Sequence, residues 1–332
     1  HGGVENVVHL MLAKIKGAPS GVKGISLFVV PKKRISEKGE LVSNDVLISG
    51  IFHKLGYRGC PTAQLSIGDN NDCRGYLVGE PHNGLRYMFQ MMNEARIGVG
   101  IGAAAMATAA YYASLDYAAV RKQGRKIEEK NPANPPVPLI EHADVKRMLL
   151  FQRSVVEGAL GLLLQCSKYV DLKKVGSHEE KKKYALLLDL LTPVAKSYPS
   201  ETGLLSISQG LQCLGGSGYC DDYPLEQYYR DARIHPIHEG TTGIQAMDLM
   251  GRKLSMRNGM LFMQWLQRIT AQFNDLEGGD FDEEVEALAE ARDLVSACGM
   301  HLFQYALGGK LSNAMLESSN LLTLFGTFLL GM

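Results

Sequence analysis

From Gly84 the chain commits to a long buried helix. Small and apolar residues recur at helical spacing through Met88, Met91, Met92, Ala95, Val99, Ala103, Met106, Ala110 and Ala113, to about Gln123. A strand cannot satisfy this pattern, because its side chains alternate with period 2 rather than 3.6. An apolar stripe of that length needs other helices to bury it. The stretch therefore predicts a helical bundle and divides the chain into what comes before and after. Gly98, Gly100 and Gly102 spell something close to a dinucleotide glycine loop. No strand precedes them and the period is helical, so close helix packing is the role they suggest.

The segment before Gly84 reads as β. Val7–Leu12 begins an apolar run that ends at Lys16, Gly17–Gly21 is a turn, and Ile25–Val30 is closed by Pro31. Further short runs at Val46–Phe52, Ala63–Ile67 and Gly75–Val78 are separated by Gly, Asn and Asp clusters. That spacing predicts an antiparallel sheet or part of a barrel. After Gln123 a Pro-rich loop over 124–139 leads to a second helix at Ala143–Lys174. A third begins near Glu180, with Pro193 expected to kink it and Pro199 to interrupt it before a resumption over Glu201–Leu214. A short helix is expected from Pro224 to Arg233, and a fourth long helix from just after Glu239 to about Phe273. At least two more follow between Asp280 and Leu330, joined near Gly308–Gly309. The predicted class is α+β: a partial antiparallel β domain over 1–83, a four-helix bundle over 84–275, and an additional helical extension over 276–332.

Charge narrows the function classes. Lys plus Arg and Asp plus Glu each number 35 among 332 residues. With no net positive field, nucleic acid and anionic membranes are poor partners. The 6 cysteines form no Cys-x-x-Cys pair, which suits reduced thiols and a cytoplasmic setting. His1-Gly-Gly-Val-Glu5 has no secretory-leader character, and the apolar run Leu321–Leu330 is too short to span a bilayer. Both ends lack the loose, polar character of natural termini, which leads us to expect a fragment.

Chemistry concentrates between Gln209 and Gln245. This stretch holds Gly215, Gly216 and Gly218, the crowded charges Glu226, Arg230, Asp231 and Arg233, and Glu239 just before Gly-Thr-Thr-Gly. Glycines let a backbone approach a ligand. On spacing alone Glu239 is more readily a helix-start charge than a base. His235 and His238 form His-x-x-His, but Pro236 between them argues against a helical ligand set, and no metal is expected. Arg96 and Arg121 interrupt or end an apolar helix, so each either reaches solvent or holds an anion.

Several of these stretches, taken in order, resemble the acyl-CoA dehydrogenase flavoenzymes. They are Lys54-Leu-Gly-Tyr-Arg-Gly-Cys-Pro-Thr62, Gly75-Tyr-Leu-Val-Gly79, Met88–Arg96, Tyr117–Gly124, Gln212-Cys-Leu-Gly-Gly-Ser-Gly-Tyr219, Asp231-Ala-Arg-Ile234 and His238-Glu-Gly-Thr-Thr-Gly-Ile-Gln245. The resemblance covers about residues 1–275. The helices beyond it look like the subgroup with an extended C-terminal domain, which includes the 3-methylmercaptopropionyl-CoA dehydrogenases. The chain departs from the pattern at His238, where many members carry Tyr, and at Gln227, where Lys or Arg is usual. The family's N-terminal helical domain has no counterpart in it.

The resemblance implies an FAD-dependent α,β-dehydrogenation of an acyl-CoA thioester in fatty acid metabolism. Glu239 would remove the α-proton as the β-hydride leaves to the flavin. The enolate-like charge needs donors aimed at the thioester oxygen, and the base must lie within hydrogen-bonding reach. By the same matching, Arg121, Gln212, Gly215 and Gly216 would hold the FAD pyrophosphate, partly from a neighbouring subunit. His142, Thr241 and Gly243 would also contact the cofactor. Asn93, Arg96 and Gly240 would line the acyl-CoA site. An electron-transfer flavoprotein is the implied acceptor, and a homodimer or homotetramer the implied assembly. An acyl-CoA oxidase, or a non-catalytic relative of the same superfamily, including its nucleic-acid-binding branch, is the alternative.

Overall fold

The computed structural model describes residues 6–332; the first five, read above for leader character, lie outside it. The chain forms two compact units, one up to Glu94 and one from Ala95 onward, and the division falls inside one helix.

The first unit contains β1 (Val8–Lys14), β2 (Ile25–Pro31), β3 (Lys33–Ile35), β4 (Leu41–Ser43), β5 (Val46–Ile51), β6 (Ala63–Ile67) and β7 (Tyr76–Val78). These pair antiparallel as β1-β2-β7, β3-β4 and β5-β6. Across β1 and β2, Leu10 faces Val29 and Met11 faces Phe28. The apolar runs therefore become strands as expected. The β3–β4 hairpin was not expected: its strands are only three residues each, and Gly39 at φ +82° makes its turn. Buried Asn44 staples the segment, donating to the Pro31 and Arg74 carbonyls at 2.7 and 2.9 Å and accepting from the Arg74 amide at 3.0 Å.

The second unit is helical. α1 (Gly84–Val120) runs into it, followed by α2 (Ala143–Val175), α3 (His178–Leu214), α4 (Leu225–Ala232), α5 (Thr242–Asp248), α6 (Met260–Asn274), α7 (Asp282–Leu307), α8 (Leu311–Leu316) and α9 (Ser318–Gly331). Ile97 and Ala104 of α1 share a core with Leu162 and Leu163 of α2, Val194 and Ala195 of α3, and Phe325 and Phe328 of α9. Trp265 of α6 sits inside it, edge-on to both phenylalanines at 5.0 and 6.1 Å between ring centres. α1 and α2 have the length and apolarity of membrane-crossing helices. In the bundle those apolar faces form the core instead.

Two expectations fail. Pro199 does not interrupt the third helix: α3 runs unbroken through Pro193 and Pro199. Every residue from Leu190 to Ser200 is buried, so packing offsets the lost hydrogen bonds. The helix starts at a Ser177–Glu180 capping box, in which each side chain bonds the other residue's amide. The fourth long helix is also not continuous. It breaks after α5 into a π-helical turn at Leu249–Lys253 and resumes only at Met260. Arg257, Asn258 and Gly259 intervene with φ of 53°, 57° and 81°, a left-handed run that no α-helix accommodates.

Pro199 has a second effect. Lacking an N–H, it leaves the Ala195 carbonyl without its helical partner, and that oxygen faces α1 at Gly100. A Cβ on Gly100 would lie 2.2 Å from it. Gly100→Ala forces α1 and α3 apart and lowers stability by about 1–3 kcal/mol. Thermal unfolding checks this, and an unchanged melting temperature would remove the close-contact role.

Candidate functional site

The turn between α4 and α5 is held from both sides. Glu239 and Gly240 have φ of 56° and 95°, two successive left-handed residues that lift the chain before α5. A non-glycine residue in that region costs on the order of 1 kcal/mol and needs support. Arg96 of α1 and Gln245 of α5 supply it, each donating to the Glu239 carbonyl at 3.2 Å. Gly240 is required by proximity as well as by φ, since a Cβ there would lie 2.5 Å from Gln245 Nε2. Thr241 caps α5, and the Thr242 hydroxyl donates to Glu201 of α3 at 2.6 Å. The predicted Glu239, Gly240, Thr241 and Gly243 thus sit on one braced turn, with Arg96 against it.

Arg96 does not reach solvent; it is 5% exposed. Its Nη1 lies 3.9 Å from Asp248 Oδ2, an ion pair too long to be a hydrogen bond. Asp248 Oδ1 accepts from Arg252 at 2.7 Å. Burial pushes the Arg96 guanidinium below its ordinary value, and the Asp248 carboxylate pulls the other way. Asn93 lies on α1 in the first unit, three residues before Arg96.

The sequence reading weighed His235 and His238 only as a metal pair and passed over Lys196. Lys196 is fully buried at the centre of α3. His235 is also buried, and its ring lies 5.5 Å from that of His238 in a T-shaped pair. Burial pushes Lys196 down to about 8 and His235 down to about 4. His238 is lowered by burial and then by the charge of Lys196. The signal for Lys196 was available: a lysine inside an apolar helix is as unusual as Arg96.

His235 makes stability pH-dependent. Its folded value lies below its unfolded one, so between about pH 4 and 6.5 the unfolded chain binds more protons and stability rises with pH. The contribution is complete above 6.5 and is lost by pH 4, about 3 kcal/mol in all. Chemical denaturation across that range should show the slope, and His235→Phe should flatten it.

The remaining predicted residues gather at the far end of α3. Gly215, the C-cap, has φ 60° and ψ −136°, a conformation only glycine adopts readily. Open space surrounds the Cβ positions of Gly215 and Gly216, and Gln212 is exposed beside them. Tyr117 of α1 donates to Ser217 at 3.1 Å, which brings the C-terminal end of α1, and Arg121 one turn on, to the glycines. Arg121 also receives the Leu139 amide on its carbonyl at 2.8 Å, and its exposed guanidinium has no partner among the described residues. His142, the N-cap of α2, is bonded through Nε2 to the Gln123 carbonyl at 2.7 Å. From Glu201, beside the Glu239 turn, to Gly215 the helix rises about 21 Å. One chain therefore carries two groups of predicted residues, not one. The clefts beside α6, including one of about 690 Å³ between α2, α6 and α9, are lined by none of them.

Comparison with known proteins gives a family match over residues 82–254, to the model described as acyl-CoA dehydrogenase, C-terminal domain. The chain is 41% identical over 305 residues to the 3-methylmercaptopropionyl-CoA dehydrogenase of Ruegeria pomeroyi, covering 91% of this chain and 51% of the relative. Among solved structures it superposes on Caenorhabditis elegans ACDH-11 in complex with C11-CoA with a TM-score of 0.77 at 23% identity, over 97% of this chain and 52% of the other. An acyl-CoA dehydrogenase complexed with FAD from Bacillus anthracis gives 0.74 at 21% identity, over 97% and 53%. The chain thus spans about half the length of the proteins it matches.

Proposed function

The chain belongs to the acyl-CoA dehydrogenase family, and from that premise we propose that it carries the proton-abstracting half of an FAD-dependent acyl-CoA dehydrogenation. The observation that carries this reading is the Glu239 turn: a carboxylate on a left-handed residue whose own carbonyl is clamped by buried Arg96 and Gln245. A fixed main chain limits where the carboxylate can reach, which a base acting on one α-proton requires.

In this reading Glu239 takes the α-proton of an acyl-CoA thioester, and the product is the trans-2-enoyl thioester. The main-chain amide of Glu239 faces the thioester oxygen as charge develops there. Gly240 admits the substrate close to the backbone, and Asn93 and Arg96 belong to the acyl-CoA side.

FAD supplies the hydride acceptor when bound. The residues at the end of α3 suit it: Arg121 is an exposed, unpaired guanidinium, and the open faces of Gly215 and Gly216 leave room for a pyrophosphate. Gln212 stands beside them, His142 is tied to the segment after Arg121 through the Gln123 carbonyl, and Thr241 and Gly243 sit on the Glu239 turn. Because the two groups lie about 21 Å apart along α3, we assign the pyrophosphate end to the pocket of a neighbouring copy, which makes the working unit at least a dimer. An electron-transfer flavoprotein is the acceptor in this scheme.

The test is spectroscopic. The protein loaded with FAD should lose its visible flavin absorbance when saturated acyl-CoA thioesters of graded length are added without air. Failure to take up FAD, or a bound flavin that no acyl-CoA bleaches, sinks the reading.

A further inference from the structure

Lys196 lies in the middle of α3, three residues from Pro193 and three from Pro199, and no part of it reaches solvent. Its Nζ bonds to no protein atom. A lysine packed only for its aliphatic stem would carry its ammonium to the surface, and this one does not. The groups whose charges it feels are few: Glu201 on its own helix, Arg96 from α1, and Glu239, His235 and His238 from the segment between α4 and α5. Glu201 is itself tied to the Glu239 turn through Thr242. The close approach of α1 and α3 at Gly100 falls at Ala195, the residue before the lysine.

We propose that Lys196 is a positioning residue for the Glu239 site, a buried cation that stabilises the negative charge as it moves from the carboxylate to the substrate. This rests on the reading of Glu239 as the base. Neutral side chains would pack at this position at lower cost, because a buried ammonium without a partner is destabilising. A cation here instead strengthens the pocket's field in a medium of low polarity, where a fixed charge acts most strongly. The lowered value near 8 agrees, since burial opposes the charge and Glu201 and Glu239 restore part of it.

The proposal predicts a lysine that titrates far below its fellows and senses Glu239. With 13C-labelled lysine, NMR of the full chain should show one side chain titrating near pH 8. The resonance is assigned by its loss in Lys196→Arg or, should that variant not fold, in Lys196→Met. Glu239→Gln should move its midpoint down by roughly half a unit or more, because a nearby negative charge is gone. No lysine titrating below about 9.5, or a midpoint unmoved in Glu239→Gln, overturns the proposal. In the FAD-loaded enzyme, kcat/KM should fall as pH rises through about 8. That limb should vanish in Lys196→Met, with activity low throughout, and move to higher pH in Lys196→Arg. A limb unchanged in both variants also overturns it. Should no acyl-CoA be oxidised at all, the NMR titration still decides whether Lys196 faces Glu239, so the two readings fail separately.

Discussion

With Glu239 proposed as the base, Glu239→Gln should lower the rate of flavin bleaching by acyl-CoA about 10²–10⁴-fold, the contribution a positioned base makes to proton transfer. The substitution is a clean one here. The two bonds that hold the turn, from Arg96 and Gln245, go to the main-chain carbonyl of residue 239 and not to its carboxylate. Gln is close to Glu in size and tolerates the left-handed backbone about as well. The melting temperature should therefore stay within about 2 °C of the parent, a shift of under 1 kcal/mol for a unit of this size. Stopped-flow reduction of the flavin by a good substrate reads the rate, and calorimetry reads the stability. A variant that keeps more than a tenth of the parent rate would show that another group takes the proton.

Arg96→Met should be costly to stability as well as to activity. The guanidinium is almost wholly buried, donates to the Glu239 carbonyl and pairs at longer range with Asp248. Met fills much of the same volume but leaves the carbonyl one donor short and removes a positive charge facing Asp248. Removing one partner of a buried polar pair costs more than the pair contributes when intact. A loss of about 2–4 kcal/mol follows, or roughly 5–12 °C in melting temperature for a unit of this size. Asp248 keeps Arg252 as a partner, which holds the cost below the top of the range for a stranded charge. With its clamp halved, the Glu239 turn should also cleave faster under limited proteolysis. A variant as stable and as protease-resistant as the parent would mean that Gln245 alone holds the turn.

The two substitutions separate the chemistry of the turn from its architecture. Glu239→Gln should spare the fold and stop the reaction, whereas Arg96→Met should loosen the fold and slow the reaction through it.

The sequence by itself determined the class of the fold and the position of most helices, and it pointed to the turn at Glu239. Its apolar spacing is local information, and helical period 3.6 over Gly84–Val120 or Ala143–Val175 admits no competing reading. The ordered motifs around Gln212 and Glu239 likewise carried the family resemblance. Local signals failed where long-range packing outweighs them. Pro199 read as a break, yet burial of the whole segment from Leu190 to Ser200 keeps α3 unbroken through it. Asn258-Gly259 is a turn dipeptide set within an apolar pattern, and the pattern hid it. Only the tertiary structure decided that Arg96 is buried, and that it meets the carbonyl of a residue 143 positions away. It also buried Lys196 in the middle of α3 with no bond to its Nζ, and set the glycine end of α3 about 21 Å from Glu201, which the turn contacts. Those relations depend on which helix faces meet, and spacing along a chain does not encode that when the partners lie on different elements.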